Sequence, residues 1–279
     1  MAIQTVTTIL TSTEQIDTQL IAAIGVARAM DAHLHVLSLG IGLDQTGLVQ
    51  TALDVMPTGT GFEDSAEQAR LLGEAAAAHL DKEDIRWHVE PVAMPAANST
   101  EEIVRHTRFS DLVVQQRSSG REHVEQTRML AETVLFDADC ALMLLPEEAE
   151  MTAPPRNILI SWDESATALR AVKQALPLIG KDAYVHVVLV DPPKDAPDRS
   201  DPGGAFAQFL ARHGIRCEVS VCNRTDDSVA ATLERRAEEL GCEMLVMGAY
   251  GHSRLRQAIF GGVTRDIIRG ARLPVFMAH

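Results

Sequence analysis

The chain has 279 residues, 46% hydrophobic and 23% charged but only 4% aromatic, so a sizeable core of Val, Ile, Leu and Ala is expected. No stretch approaches the roughly 18 apolar residues of a membrane span, and Met1–Ile21 lacks the basic start and apolar run of a secretory signal, so a cytoplasmic protein without membrane contact is expected. The net charge of −14 resides in the first half: residues 1–150 carry 9 basic and 24 acidic side chains, against 16 and 15 in residues 151–279, a distribution that repels nucleic acid.

In chain order the first β-rich run is Ile9-Leu-Thr-Ser12, followed by Asp31-Ala-His-Leu-His-Val-Leu-Ser-Leu39. His33 and His35 lie two apart on that run and share a face, but no third ligand is evident and packing is the simpler role. Gly40–Gly61, with Gly, Thr, Pro and Met, suits a surface loop. Further on come Asp111-Leu-Val-Val114, a turn at Ser118-Ser119-Gly120, and Ala138-Asp-Cys-Ala-Leu-Met-Leu144. Glu147–Pro155, an acidic run ending in Ala-Pro-Pro, reads as a linker.

Beyond the linker the runs Asn157–Trp162, Ala183–Val190, Ile215–Cys222, Met244–Met247 and Pro274–Met277 alternate with helical patterns over Ser165–Ile179, Ala205–His213, Ser228–Leu240 and Val263–Arg269. The strands are almost continuously apolar, as in a parallel sheet covered on both faces. The two halves repeat: Asp31–Leu39 resembles Asp182–Val190, Ile9–Ser12 resembles Ile158–Ser161, and Ala138–Leu144 resembles Ala271–Met277. The early pairs are offset by 149–151 residues and the late pairs by 133. The expected architecture is α/β: two tandem doubly wound domains, residues 1–146 and 156–279 joined by 147–155, each a five-stranded parallel sheet of order 3-2-1-4-5 with helices on both faces.

Ligands of such sheets bind beyond the carboxyl ends of the strands, where strands 1 and 4 are neighbours. After Met247 the sequence reads Gly248-Ala-Tyr-Gly251-His-Ser-Arg-Leu-Arg-Gln-Ala-Ile-Phe-Gly261-Gly262-Val-Thr264. Glycines between a strand and a helix let phosphate oxygens approach the unpaired N–H groups of a helix start, and Thr264 adds a hydroxyl. Asp163, directly after strand 1 of this half, either faces the same site or caps the next helix together with Ser165. His252 and Arg254 lie in the loop, and Arg265 is a further cation near it. Asp226-Asp227 reads as a helix cap. The cysteines at 140, 217, 222 and 242 form no C-x-x-C pair and read as free thiols, with Cys217 and Cys222 on opposite faces of a strand. No catalytic triad or metal-ligand set is assigned.

The spacing Gly248-x2-Gly251-x9-Gly261-Gly262-Val263-Thr264, the Ile-Leu-Ile-Ser-Trp-Asp163 start and the Leu273-Pro-Val-Phe-Met277 end resemble the universal stress protein family, over essentially all of 155–279 and more loosely over 1–146. The resemblance implies ATP, with or without Mg²⁺, its phosphates over Gly251, Gly261, Gly262 and Thr264. The adenosine end would then lie near Asp163 and backbone at Val190, with Met247, Gly248, His252, Arg254 and Val263 around it. It also implies pairing of last strands, so that Ala141–Leu145 meets Pro274–Met277 as an intramolecular pseudo-dimer, with a homodimer as a further step. Gly262 stands where the family usually has Ser or Thr, removing one hydroxyl donor worth about 0.5–1.5 kcal/mol.

At the late offset Gly248, Gly251, Gly261 and Gly262 fall on Gln115, Ser118, Arg128 and Met129, and at the early offset Asp163 falls on Glu14. The first domain therefore reads as a degenerate copy, unless Arg117, Arg121 and Arg128 attract an anion. The expected function is a stress-response regulator binding an adenine nucleotide in its second domain. Two other readings are a nucleotide-independent scaffold and a slow ATPase or phosphotransferase.

Overall fold

A computed structural model describes residues 2–14, 16–42, 60–95, 98–117, 121–147, 149–192, 201–249 and 262–279. In the first half the strands are β1 (Thr5–Leu10), β2 (His33–Gly42), β3 (Trp87–Pro95), β4 (Leu112–Gln116) and β5 (Ala141–Leu145). The helices are α1 (Ile16–Met30), α2 (Thr60–Leu80), α3 (Ser99–Thr107) and α4 (Arg121–Glu132), the last running into a π-turn at Thr133–Asp137. The second half repeats the plan with β6 (Asn157–Ser161), α5 (Ala166–Ala175), β7 (Tyr184–Val190), α6 (Gly204–Arg212), β8 (Arg216–Cys222), α7 (Val229–Glu239), β9 (Met244–Gly248), α8 (Val263–Gly270) and β10 (Val275–Ala278). Gly40–Gly42, expected in a surface loop, continue β2.

All ten strands form one sheet, in the order β3-β2-β1-β4-β5-β10-β9-β6-β7-β8. Each half is a parallel 3-2-1-4-5 sheet. They meet where β5 and β10 run antiparallel, with Phe276 opposite Met143 and Val275 opposite Leu144. Every residue of β5 and of β10 is buried, whereas β3 and β8, at the two edges, alternate between covered and exposed positions. Charged groups such as Glu90 and Arg216 sit on those edge strands and discourage further strand pairing. One core face, containing Val6, Leu20, Ile158 and Val172, runs beneath both halves. Met151 of the connecting segment is part of it and its carbonyl lies against Gly25 of α1, where an added Cβ would come within 2.5 Å.

The strand register corrects the equivalences expected between the halves. Thr5 pairs with His33 as Asn157 pairs with Tyr184, and Val6 pairs with Leu112 as Ile158 pairs with Met244. The same equivalence holds in the loops. Asp111 accepts from the amides of Gln4 (2.8 Å) and Thr5 (3.0 Å), and Glu243 accepts from those of Arg156 (2.5 Å) and Asn157 (3.4 Å). Followed along the strands, Asp163 corresponds to Thr11 rather than Glu14, and Gly248 to Gln116 rather than Gln115.

Candidate functional site

Ser165 begins α5 in extended conformation and its side chain accepts from the Ala168 amide at 3.0 Å. Asp163 Oδ1 in turn accepts from the Ser165 amide at 3.0 Å, so Asp163 organises this turn while its side chain stays exposed at the carboxyl end of β6. Between them Glu164 has φ of 62°, left-handed for a side chain that disfavours it. A second such residue, Asp191 with φ of 48°, directly follows Val190 at the end of β7. It is held by its amide to the Cys222 carbonyl (3.0 Å) and by its carboxylate to the Arg224 amide (3.0 Å). Asp31 and Asp139 share this left-handed conformation, so it marks turns of the fold and not this edge alone.

Gly248 closes β9 against this edge. A Cβ on it would lie 2.5 Å from the Ala168 amide nitrogen and 2.7 Å from the Thr167 carbonyl carbon, so glycine is required for the first turn of α5 to approach. This is a packing reason, independent of any phosphate. Met247 is buried beneath it.

Because β9 and β10 are parallel, the connecting helix α8 runs back against them and its amino end lies at the carboxyl edge of the sheet, the edge that carries Asp163 and Val190. Gly262 is the N-cap, buried and extended (φ −97°, ψ 138°), without a side-chain cap bond. Its carbonyl accepts from Asp266 (3.1 Å), the first bond of the helix. Val263 is half-buried, Thr264 is buried in the first turn, and the half-buried Arg265 has a buried Nε without a partner. Such an end carries partial positive charge and presents N–H donors to an anion. The structure thus brings Asp163, Val190, Met247, Gly248, Gly262, Val263 and Thr264 to one edge. Gly251, His252, Arg254 and Gly261 lie outside the described residues.

Four features lay beyond the sequence. Arg117 does not wait for an anion in the first half. Its Nη1 donates to the Arg269 carbonyl (2.8 Å) and its Nη2 to that of Ala271 (3.2 Å), closing the carboxyl end of α8. Arg128 is likewise engaged, with Glu125 and Glu132. Trp162, the residue before Asp163, stacks on Phe206 at 4.0 Å with an interplanar angle of 5°. The cap of α7 is Ser228, accepting from Ala231 at 3.1 Å, rather than the acidic pair; the Arg235 guanidinium bonds Asp226 and holds its carboxyl below the usual range.

The remaining candidates are structural. His35 bonds Glu90 (3.1 Å) and stacks on His88, and His106 shares the same carboxylate (3.0 Å). Among the described residues no cluster of His, Cys, Asp and Glu has the arrangement of a metal site, and no helix is long and apolar enough to cross a membrane. The four cysteines are free; burial pushes the Cys140 thiol up to about 12 and that of Cys242 to about 11.

Fold and edge together define a tandem, doubly wound α/β protein with a glycine-capped helix end at the carboxyl edge of its second half. Residues 155–279 match the model of the universal stress protein family, so the second half carries a domain of that family. A universal stress protein of Synechocystis sp. is 26% identical over 121 residues, spanning 43% of this chain and 41% of that relative. The crystal structure of a universal stress protein from Archaeoglobus fulgidus superposes with a TM-score of 0.72 at 15% identity, covering 98% of this chain and 95% of its own. A functionally unknown protein from Pseudomonas aeruginosa follows at a TM-score of 0.56 and 14% identity, covering 99% and 92%. At these identities the structural likenesses establish the fold of the whole chain.

Proposed function

We propose that this stress-response protein binds an adenine nucleotide, ATP with or without Mg²⁺, in its second domain (residues 156–279), and that the first domain (residues 1–146) serves as its built-in partner in a pseudo-dimer. The observation that supports this most directly is the α8 amino end: a buried glycine cap without a side-chain acceptor, on the edge that carries Asp163 and Val190. Triphosphate is the chemistry that satisfies several converging N–H donors. Asp163, exposed at the carboxyl end of β6, takes the nucleoside end. Nucleotide occupancy then sets the state of the glycine segment and with it a surface for partners in the cytoplasm.

Titration calorimetry with Mg-ATP on the natural chain, Gly251→Val and Asp163→Ala tests this. One site per chain, lost in Gly251→Val and weakened in Asp163→Ala, is the expected result. A folded protein that binds nothing at millimolar ATP overturns it and leaves the scaffold reading, which one observation favours: Gly248 is explained by the packing of α5 alone.

A further inference from the structure

The first half carries a cavity of about 540 Å³ at the carboxyl ends of β1, β2 and β4, the place that corresponds to the nucleotide edge of the second half. Its size is that of a small-molecule site. Thr11 lines it where the second half has Asp163, and Gln116 where the second half has Gly248. Helices α3 and α4 close over it, contributing Ile103, Met129 and Leu130.

Its chemistry differs from that of a nucleotide site. The described lining residues include no Asp, Glu, Lys, Arg or His, although this half of the chain is strongly acidic. What remains is aliphatic surface interleaved with neutral hydroxyls and amides. Several of those polar groups are fixed by the protein itself. Gln116 donates to the carbonyls of Pro146 (3.2 Å) and Glu147 (2.5 Å), and Gln19 accepts from the Gln116 amide at 2.7 Å. Gln115 donates to the Ile9 carbonyl at 3.0 Å, which fixes its orientation and leaves its side-chain oxygen without a protein partner. Met129, at 58% exposure, is one of the few large apolar side chains open to solvent.

We infer that the first half binds an uncharged amphiphile: a molecule with an aliphatic body and one neutral hydrogen-bonding head, such as a medium-chain amide or alcohol. The aliphatic lining gains from covering such a body. The amide and hydroxyl rim meets the head. Among the described lining residues a carboxylate or phosphate finds no cation to compensate its charge. The loss of the glycines thus reads as a change of ligand rather than loss of a site. This inference stands apart from nucleotide binding in the second half, since it concerns other residues and another ligand class.

The test is fluorescence of the neutral dye N-phenyl-1-naphthylamine bound to the full chain, in competition with octanamide and with octanoate, which differ mainly in charge. Saturable enhancement near one dye per chain is expected, with octanamide competing at least about tenfold better than octanoate, the penalty for burying an unpaired carboxylate being of that order or larger. Equal competition, or no enhancement, overturns the proposal. Location is checked with Thr11→Asp, which restores the residue of the second half, and with Ile103→Trp, which fills the cavity. Either variant, folded by circular dichroism and with an unchanged melting temperature, should lose at least about tenfold in dye affinity. Unchanged dye binding in both folded variants overturns the assignment. If both fail to fold, the octanamide–octanoate comparison and displacement by Mg-ATP still decide: displacement by ATP refutes a neutral-ligand site.

Discussion

Arg117 and Arg269 are joined across the seam between the halves, the guanidinium of one donating to the backbone carbonyl of the other at 2.8 Å. Together with the bond to Ala271 it places a cation from the first half at the negative end of α8. Replacing Arg117 by Ala should lower unfolding free energy by about 1–2 kcal/mol. Lys, a point charge without a planar fork, should restore only part of that. Urea unfolding of the three proteins measures it, and equal midpoints would remove the assigned role.

Gly248→Ala should destabilise by about 1–3 kcal/mol, because the added carbon meets backbone of α5 rather than a movable side chain. Gly180→Ala, where nothing lies within 4 Å of the added carbon, is the control and should be near neutral. Thermal unfolding of both variants checks the contrast.

His35 makes the protein sensitive to acid. Burial lowers the His35 pKa and outweighs the opposing pull of Glu90, to which His35 is bonded at 3.1 Å; His88 and His106 add smaller effects in the same downward direction. The folded state therefore prefers the neutral ring more strongly than the unfolded state does. Its contribution is present above the unfolded value of about 6.5 and is lost as pH falls toward and through the lowered folded value. Urea midpoints of the natural chain should fall between pH 7.5 and pH 5.5 more steeply than those of His35→Gln. Parallel slopes would exclude His35 as the cause.

Each half should depend on a partner strand at the apolar seam, where every residue of β5 and β10 is buried. Residues 156–279 alone would expose β10, whose four residues are all buried in the intact chain and whose Phe276 is 1% exposed. An exposed apolar edge strand pairs with another copy. Light scattering should therefore find this fragment as a dimer or larger species. In the full chain, Phe276→Ala should cost about 3–5 kcal/mol.

Cys140 should resist modification. Its thiol, buried and donating to the Ser110 carbonyl at 3.2 Å, is pushed to about 12, so little thiolate is present at neutral pH. Native-state maleimide labelling at pH 8 followed by mass mapping should leave it unlabelled until denaturant is added.

The amino-acid sequence by itself determined the layered α/β architecture, the strand order in each half, the repeat, the strand ending at Gly248 and the helix beginning at Val263, because these follow from local periodicity and chirality that each segment carries alone. Only the tertiary structure decided which residues of the halves correspond. Sequence matching placed Gly248 on Gln115, whereas strand pairing places it on Gln116. Slips of one to three residues align equally well by eye, but a slip of one reverses the face of every side chain. From that register follow Thr11 in the place of Asp163 and the uncharged cavity beside it. The place of Arg117 beneath α8 lies equally beyond local reading, since hydrogen bonds to Arg269 and Ala271, more than 150 residues away in sequence, exist only once both halves share one sheet.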